Sequence, residues 1–402
     1  MTRNPLPDGT RAFLPAAAAA RARLRARLSE LYASWGYQAV EVPALERYDP
    51  DHPRSSQSFK LTDRDSGLLA LRSDFTPAVA RLVRRAWPEA TDPHGAERPL
   101  RLQVAGPVWQ AIDPELARTR EFFQIGVELI GTRHPRADAE LIHLARESVR
   151  VVGLTPRVEV GAPGFVRALL DEAGVASEAR EPLAEAIDRK DPHDVAAMLK
   201  EMGARGPAAD ALRAAPDLYG GVELLAEARA LPLGERSRAA LDHLAGVLAE
   251  FEDDSELILD LGMARRLAYY TGVTFRAYTV DFGQPLLGGG RYDGALLPYA
   301  AGFSIGLERL ESASAGRARD AAPARVLSLD DAGARRLRAA GVTVARAIAA
   351  DPGAARDEAR RAGIPWLLGP AGLEAAEAHD EGPDDERRRL LALLAGDGGA
   401  DA

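Results

Sequence analysis

The chain has 402 residues and a net charge of −9, with 46% hydrophobic and 28% charged residues, a composition typical of a folded protein of two or three domains. Cysteine is absent, which excludes disulfides, thiolate metal sites and a cysteine nucleophile. The sequence has no apolar run of the length that crosses a membrane and no signal-peptide pattern, so we expect a cytoplasmic protein without a membrane segment. The acidic balance argues against bulk nucleic-acid binding. The histidines also lack the close spacing of a zinc site, so we expect no metal.

Long adjacent strands and flanking helices are predicted for the first part of the chain. Leucines at helical spacing predict a helix from Ala16 to Ser34, which Gly36 ends. A second helix begins at Thr76 and Pro77, because proline suits the first position of a helix. A third helix is predicted over 137–151. Strands are predicted at residues 38–42, 68–71, 100–109, 120–129, 257–261, 273–281 and 301–305. Without a steady alternation of strand and helix, this pattern indicates an α+β domain with a largely antiparallel sheet.

Two segments differ in composition from the rest of the chain. Short alanine-rich helices broken by glycine and proline predict a helical insertion at about 163–250. Small, polar, unpatterned residues predict a linker at 313–324. We therefore expect a core at 1–312 and a small βαβα domain at 325–402, with a partly mobile acidic tail after Pro370.

The first candidate site lies where a strand passes into a helix, at Asp74 and Thr76. Either side chain could simply cap the helix. The functional interpretation is a carboxylate and a hydroxyl directed at the ammonium group of a ligand.

The second candidate lies on the strand at 120–129. Gln124, Gly126 and Glu128 share one face at a period of two, opposite an apolar face. A plain solvated face would give the same pattern. The glycine favours a site where a ligand approaches the backbone closely.

Two further stretches carry weaker signals. Arg265 stands near two tyrosines, Tyr269 and Tyr270, either as packing side chains or as an arginine that holds a carboxylate or phosphate. The triple glycine Gly288–Gly290 predicts only a turn, because no phosphate-binding pattern follows it.

Taken in order, these stretches resemble the class II aminoacyl-tRNA synthetases and, within them, the histidyl-tRNA synthetase group. Five segments carry the resemblance: a dimerisation element at 35–46, the return strand of motif 2 at 120–128, two histidine-specific signatures at 265–272 and 289–294, and motif 3 at 302–310. The resemblance implies a class II antiparallel sheet, a homodimer and a degenerate anticodon-binding-like domain at the C-terminus.

The motif 2 loop departs from that group at three positions. Gln110 stands where the group has an arginine, Ile112 where it has a glutamate and Phe123 where it has a histidine. A neutral amide does not replace a bidentate cation on a phosphate, and one lost donor of this kind typically costs ~3–4 kcal/mol of transition-state stabilisation. The comparison therefore implies a chain without catalytic residues, which holds a ligand without activating it.

This combination resembles the regulatory subunits of ATP phosphoribosyltransferase, a non-catalytic branch whose Leu-Arg-x-Asp-Phe-Thr-Pro form is matched at 71–77. The resemblance implies a short catalytic subunit as partner, a hetero-oligomer, feedback by histidine and no cofactor. It also implies a histidine site formed by Asp74, Thr76, Gln124, Glu128, Arg265, Tyr269, Tyr270 and Tyr292. Arg309 survives from motif 3, as a relic or a structural ion pair.

Two alternatives stay open from sequence. A catalytically competent histidyl-tRNA synthetase would also carry the signatures at 265–310, and a synthetase-like protein unrelated to histidine would share the fold.

Overall fold

The structure is a computed structural model that describes residues 6–50, 54–92, 94, 99–113, 119–264, 270–280, 282–314, 325–377 and 384–395. The chain forms two compact units, one comprising Met1–Phe13 with Arg21–Ala318 and the other Leu14–Ala20 with Arg319–Ala402. The predicted linker lies outside the described residues apart from its first two positions. Within the described ranges, no helix is both long and apolar enough to cross a membrane.

The first unit is built on a nine-stranded, mainly antiparallel sheet in the order β1-β5-β6-β12-β11-β10-β7-β9-β8. Its strands are β1 (Gln38–Ala39), β5 (Leu100–Trp109), β6 (Glu121–Ile130), β7 (Arg157–Gly161), β8 (Tyr219–Gly220), β9 (Leu257–Asp260), β10 (Thr274–Thr279), β11 (Phe282–Arg291) and β12 (Ala300–Gly306). A separate three-stranded sheet contains β2 (Leu45–Arg47), β4 (Leu68–Leu71) and β3 (Lys60–Thr62). The predicted α+β class with an antiparallel sheet is confirmed.

Helices cover the two faces of the large sheet unequally. The sequence folds into α1 (Pro15–Ser34), α2 (Thr76–Ala86), α3 (Pro135–Arg150), α4 (Pro163–Glu172), α5 (Ser177–Asp188), α6 (Pro192–Glu201), α7 (Pro207–Ala214), α8 (Leu224–Arg229), α9 (Glu235–Leu248) and α10 (Leu307–Ala313). Leu28 and Tyr32 of α1 and Leu141 of α3 pack in the main core with Ile125 and Val127 of β6. The opposite face is covered near β5 by α2, through Val79 and Val83. Beyond α2, this opposite face is where the polar side chains of β6 lie.

Most predicted elements are confirmed within a few residues, including the first helix and the two long strands of the hairpin. The range predicted as a helical insertion, 163–250, contains α4–α9 and the short strand β8. The turn predicted at the triple glycine is wrong, because Gly288–Gly290 lies inside β11. A neighbouring strand explains the central glycine. A Cβ at Gly289 would stand 2.3 Å from the Cβ of Phe303, whose ring packs edge-on against Phe275 at 6.0 Å. Phe303 of β12 therefore occupies the space that a side chain at Gly289 would need, whereas a Cβ at Gly288 would meet nothing closer than 3.7 Å.

The second unit contains a four-stranded sheet in the order β14-β13-β15-β16. Its elements are β13 (Val326–Ser328), α11 (Asp331–Ala339), β14 (Val344–Arg346), α12 (Pro352–Arg361), β15 (Trp366–Gly369), β16 (Gly372–Ala375) and α13 (Asp384–Ala395). The first three strands are parallel, as a βαβα pattern requires. After Pro370, the described residues contribute a fourth strand, β16, and a helix, α13.

Candidate functional site

The site lies on the polar face of β6, between small residues of β12 and the larger Leu102 and Val104 of β5. Gln124 pairs with Gly106 and Gly306 on the neighbouring strands, Gly126 pairs with Ser304, and Glu128 pairs with Gly302. A strand rises about 3.3 Å per residue, so Gln124 and Glu128 stand roughly 13 Å apart on either side of Gly126. Gly106, Gly126 and Gly302 are buried, so the two polar side chains of β6 stand in a closely packed part of this face.

Glu128 is held by two hydroxyl groups from distant elements. The hydroxyl of Thr76, at the start of α2, donates to its Oε1 at 2.7 Å, and the hydroxyl of Tyr292, directly after β11, donates to its Oε2 at 2.5 Å. Only 5% of Glu128 is exposed, so the solvated-face interpretation is wrong for this residue. These bonds join a helix, a central strand and a loop at one carboxyl group.

Gly302 makes room for this carboxyl group. A Cβ at position 302 would stand 2.2 Å from Oε2 of Glu128 and 2.4 Å from the backbone oxygen of Val127. Such distances are far inside contact, and the backbone oxygen cannot move aside, so the glycine is required for the buried carboxyl group to lie on this face.

Burial raises the pKa of Glu128 to about 8, because the carboxylate loses its hydration. The hydrogen bonds from Tyr292 and Thr76 oppose this rise, and the nearby Asp74 carboxylate adds to it. At neutral pH the carboxyl group of Glu128 is therefore mostly protonated. A cationic ligand group nearby would favour the charged form.

Asp74 lies near the Glu128 carboxyl group. Its contacts partly agree with the prediction that it caps α2. Its Oδ1 accepts the backbone N–H of Thr76 at 3.2 Å, although Phe75 occupies the N-cap position. The Thr76 hydroxyl does not cap the helix, because it is bonded to Glu128. Arg54 stands 3.6 Å from the other Asp74 oxygen. The carboxylate is thus oriented from both sides.

Gln124 has an unsatisfied acceptor. It is 6% exposed, and its side-chain oxygen Oε1 has no hydrogen-bond partner in the described structure. A buried polar atom without a partner costs about 1–3 kcal/mol, so such atoms often mark the place of a ligand. An N–H donor above Gly126, such as an ammonium group, would satisfy it.

The three motif 2 positions have other contacts. Gln110 follows β5 and donates its side-chain amide to the Ser73 oxygen at 3.4 Å. Ile112 is half-buried. Phe123 points to the opposite face, where it packs against the main core and lies 4.7 Å from the Arg25 guanidinium. These positions therefore add no charge to the polar face of the sheet.

The remaining candidates divide into two groups. Arg265 and Tyr269 lie outside the described residues, while Tyr270 is half-buried and its carbonyl accepts a hydrogen bond from Arg167 at 2.8 Å. Arg309 of α10 donates to the backbone oxygen of Pro285 at 3.2 Å. The structure thus gathers Asp74, Thr76, Glu128 and Tyr292, with Gln124 on the same face.

Sequence reasoning missed Arg54 and Gly302, which orient Asp74 and admit Glu128. No local pattern marks either residue, although the glycine stands in a segment already recognised as motif 3. No group of three metal-ligating side chains gathers among the described residues.

Comparison with known proteins agrees with this architecture. A family model described as histidyl-tRNA synthetase matches residues 9–310. The crystal structure of an ATP phosphoribosyltransferase regulatory subunit/histidyl-tRNA synthetase from Bacillus halodurans is similar with a TM-score of 0.74 at 27% identity, over 92% of this chain and 97% of that one. A Nostoc histidyl-tRNA synthetase shares the fold, with a TM-score of 0.76 at 20% identity. The match covers 97% of this chain and 99% of that one. The chain thus has the class II fold of histidyl-tRNA synthetases.

Sequence relatives narrow this class. The ATP phosphoribosyltransferase regulatory subunit of Thermus thermophilus is 44% identical over 326 residues, which cover 81% of this chain and 87% of the relative. The ATP phosphoribosyltransferase regulatory subunit of Deinococcus radiodurans is 42% identical over 391 residues, which cover 96% of this chain and 92% of the relative. The chain belongs to the family of ATP phosphoribosyltransferase regulatory subunits. Since the second alignment covers nearly all of the chain, the C-terminal unit is shared with a family member.

Proposed function

We propose that the chain is the non-catalytic regulatory subunit of a cytoplasmic ATP phosphoribosyltransferase in the first step of histidine biosynthesis. It would be required for the activity of a short catalytic subunit and would convey feedback inhibition by histidine. Family membership supports the regulatory role. The observation that carries the histidine role is the pair of buried polar side chains, Glu128 and Gln124, on the same face of β6 on either side of Gly126.

The polar face offers complementary groups for each part of histidine. Asp74, Thr76, Gln124 and Glu128 supply acceptors around an ammonium group, and Arg265 would face the carboxylate. The rings of Tyr269, Tyr270 and Tyr292 would line the imidazole. In this proposal the ligand replaces the hydration that Glu128 lost on burial.

The three altered motif 2 positions, all among the described residues, carry no charged side chain. At the motif 2 positions, Gln110 is neutral and bonded to a backbone oxygen, and Ile112 has no hydrogen-bonding atom in its side chain. Stabilising a developing charge on phosphate needs preorganised donors or cations. We therefore propose that the pocket binds histidine without adenylating it.

Inhibition would follow from linkage between two arrangements of a hetero-oligomer built on a homodimer of this chain. If histidine favours one arrangement and the substrates of the catalytic subunit favour another, each weakens the binding of the other by the same factor. Couplings of this kind are typically ~1–3 kcal/mol.

In this proposal the second unit is a degenerate anticodon-binding-like domain.

Histidine-dependent exchange between ATP and pyrophosphate is the first test. The purified chain should bind histidine by calorimetry and show no exchange, and it should activate an added short catalytic phosphoribosyltransferase chain, with inhibition by histidine. Robust exchange would favour a catalytically competent histidyl-tRNA synthetase, the alternative supported by the retained Arg309.

Two adjacent arginines provide a matched pair of variants. Arg265→Ala should relieve inhibition by histidine without preventing assembly, because it removes the proposed partner of the carboxylate. Arg266→Ala is the control, since the family signature has glycine at that position. Equal inhibition of both variants would remove Arg265 from the site.

A further inference from the structure

The hydroxyl of Tyr292 reaches Glu128 from a backbone position that is closely fixed. The ring is buried, with 3% of Tyr292 exposed, and it belongs to the apolar cluster that contains Val79 and Leu297. The backbone N–H of Tyr292 donates to the oxygen of Ala300 at 2.9 Å, which anchors the residue to the start of β12. Because the hydroxyl stands at the far end of a rigid side chain, its position depends closely on this backbone.

Asp293 makes a second connection to the same residue of β12. Its Oδ1 accepts the backbone N–H of Ala300 at 2.9 Å and also a hydrogen bond from Nη1 of Arg291 at 3.0 Å. One carboxylate oxygen therefore joins the residue before Tyr292 and the residue after it to the neighbouring strand. Only 23% of the Asp293 side chain is exposed, so these contacts are largely shielded from water.

Arg291 is also held by α3, on the opposite face of the sheet from the Glu128 carboxyl group. Its Nε donates to both carboxylate oxygens of Asp138, at 3.0 and 3.1 Å, and its Nη1 donates to the oxygen of Thr132 at 2.8 Å. Arg291 thus keeps partners when the Asp293 oxygen is removed. The loss would fall on the chain that follows the arginine.

We propose that Asp293 is a positioning residue, whose Oδ1 holds the chain on both sides of Tyr292 so that the Tyr292 hydroxyl stays on the Glu128 carboxyl group. Asp293 does not contact the ligand in this scheme. The inference deepens the proposed function, and its consequence for histidine rests on that function. Hydrogen bonds weaken steeply as their alignment is lost, so a small rotation of the chain at Tyr292 is enough to break this one.

The ionisation of Glu128 reports whether the Tyr292 hydroxyl is in place. Burial raises the pKa of Glu128, the hydrogen bonds from Tyr292 and Thr76 lower it, and the Asp74 carboxylate raises it. Loss of one hydrogen bond to a charged group should raise this pKa by about one to two pH units. Loss of a nearby negative charge would lower it instead. The sign of the change therefore separates positioning by Asp293 from an effect of its charge.

Three variants at position 293 give the contrast. Asp293→Ala removes both contacts, and Asp293→Ser leaves a hydroxyl too short for both, which covers the case that the alanine variant does not fold. Asp293→Asn keeps the oxygen acceptor and removes the charge. We expect a raised pKa of Glu128 in Asp293→Ala and Asp293→Ser, and a pKa close to that of wild type in Asp293→Asn. Tyr292→Phe should show the same rise, and combining it with Asp293→Ala should add nothing, because a single hydrogen bond is lost.

NMR of the full-length chain with isotope-labelled glutamate carboxyl groups measures this pKa, and the Glu128 resonance is the one that disappears in Glu128→Gln. An unchanged pKa in Asp293→Ala and Asp293→Ser, with a raised pKa in Tyr292→Phe, would overturn the positioning role. A rise of equal size in Asp293→Asn would also overturn it, because that variant retains the oxygen.

Calorimetric titration with histidine extends the test to the effector. Only the ionised fraction of Glu128 pairs with an ammonium group in this proposal, so a pKa raised by about one pH unit corresponds to roughly tenfold weaker binding at neutral pH. We expect that loss in Asp293→Ala and not in Asp293→Asn, and equal weakening in both would contradict the role at the effector site. A wild-type chain that does not bind histidine would refute the proposed function, whereas the NMR comparison would still decide whether Asp293 positions Tyr292.

Discussion

Replacing Glu128 with glutamine should change how the stability of the first unit depends on pH. The pKa of Glu128 rises from an ordinary 4.5 in the unfolded chain to about 8 in the folded one. Between these values the folded chain keeps a proton that the unfolded chain has released, so stability falls as pH rises. At about 1.4 kcal/mol per pH unit, the loss across the whole window is roughly 5 kcal/mol.

Urea denaturation of both proteins at intervals from pH 4.5 to 8.5 measures this effect. The glutamine side chain does not titrate, so the advantage of the wild type over Glu128→Gln should shrink steadily as the pH rises. Glu30→Gln, at an exposed position on α1, serves as the control and should follow the wild type at every pH. A constant difference between wild type and Glu128→Gln would refute the reasoning, because it would mean that Glu128 ionises alike in both states.

Three further outcomes are expected. Histidine binding below pH 8 should release a proton as Glu128 ionises, so the calorimetric heat should vary with the ionisation enthalpy of the buffer in wild type and not in Glu128→Gln. Asp138→Ala should cost about 3–5 kcal/mol in urea denaturation, because it leaves the buried Arg291 guanidinium without its main partner, and a loss below about 1 kcal/mol would contradict this. Gly302→Ala should cost about 3 kcal/mol or more, since its methyl group would overlap Glu128 and a backbone oxygen; a fold of wild-type stability would exclude the close approach.

The elements that sequence predicts well are those with a strong local pattern. The leucines of the first helix and the alternation around Gln124 and Glu128 are enough by themselves to identify a helix and a strand. The burial of Glu128 has no such local sign. It depends on Thr76, 52 positions earlier, and on Tyr292, 164 positions later. Sequence therefore indicates which residues are polar on a face, but the packing of distant elements decides which of them lose water.

The strand at Gly288–Gly290 shows why local rules fail in the opposite direction. Glycine has low strand propensity, and a triple glycine resembles a turn. Here β10 and β12 pair on both sides, and Phe303 lies close against Gly289, so the neighbours impose the strand. Such a strand can be predicted only when its partners are already known.

A run of glycines also leaves the alignment of β11 with its neighbours poorly specified, because no side chain in the run distinguishes one pairing register from the next. The ends must supply that information. Leu287 is buried on one side of the run, and Arg291 is fixed on the other by its bonds to Asp138 at 3.0 and 3.1 Å. A slip of one position would carry Arg291 to the opposite face of the sheet. The buried ion pair between Arg291 and Asp138 therefore fixes the pairing register of β11, in addition to balancing a charge.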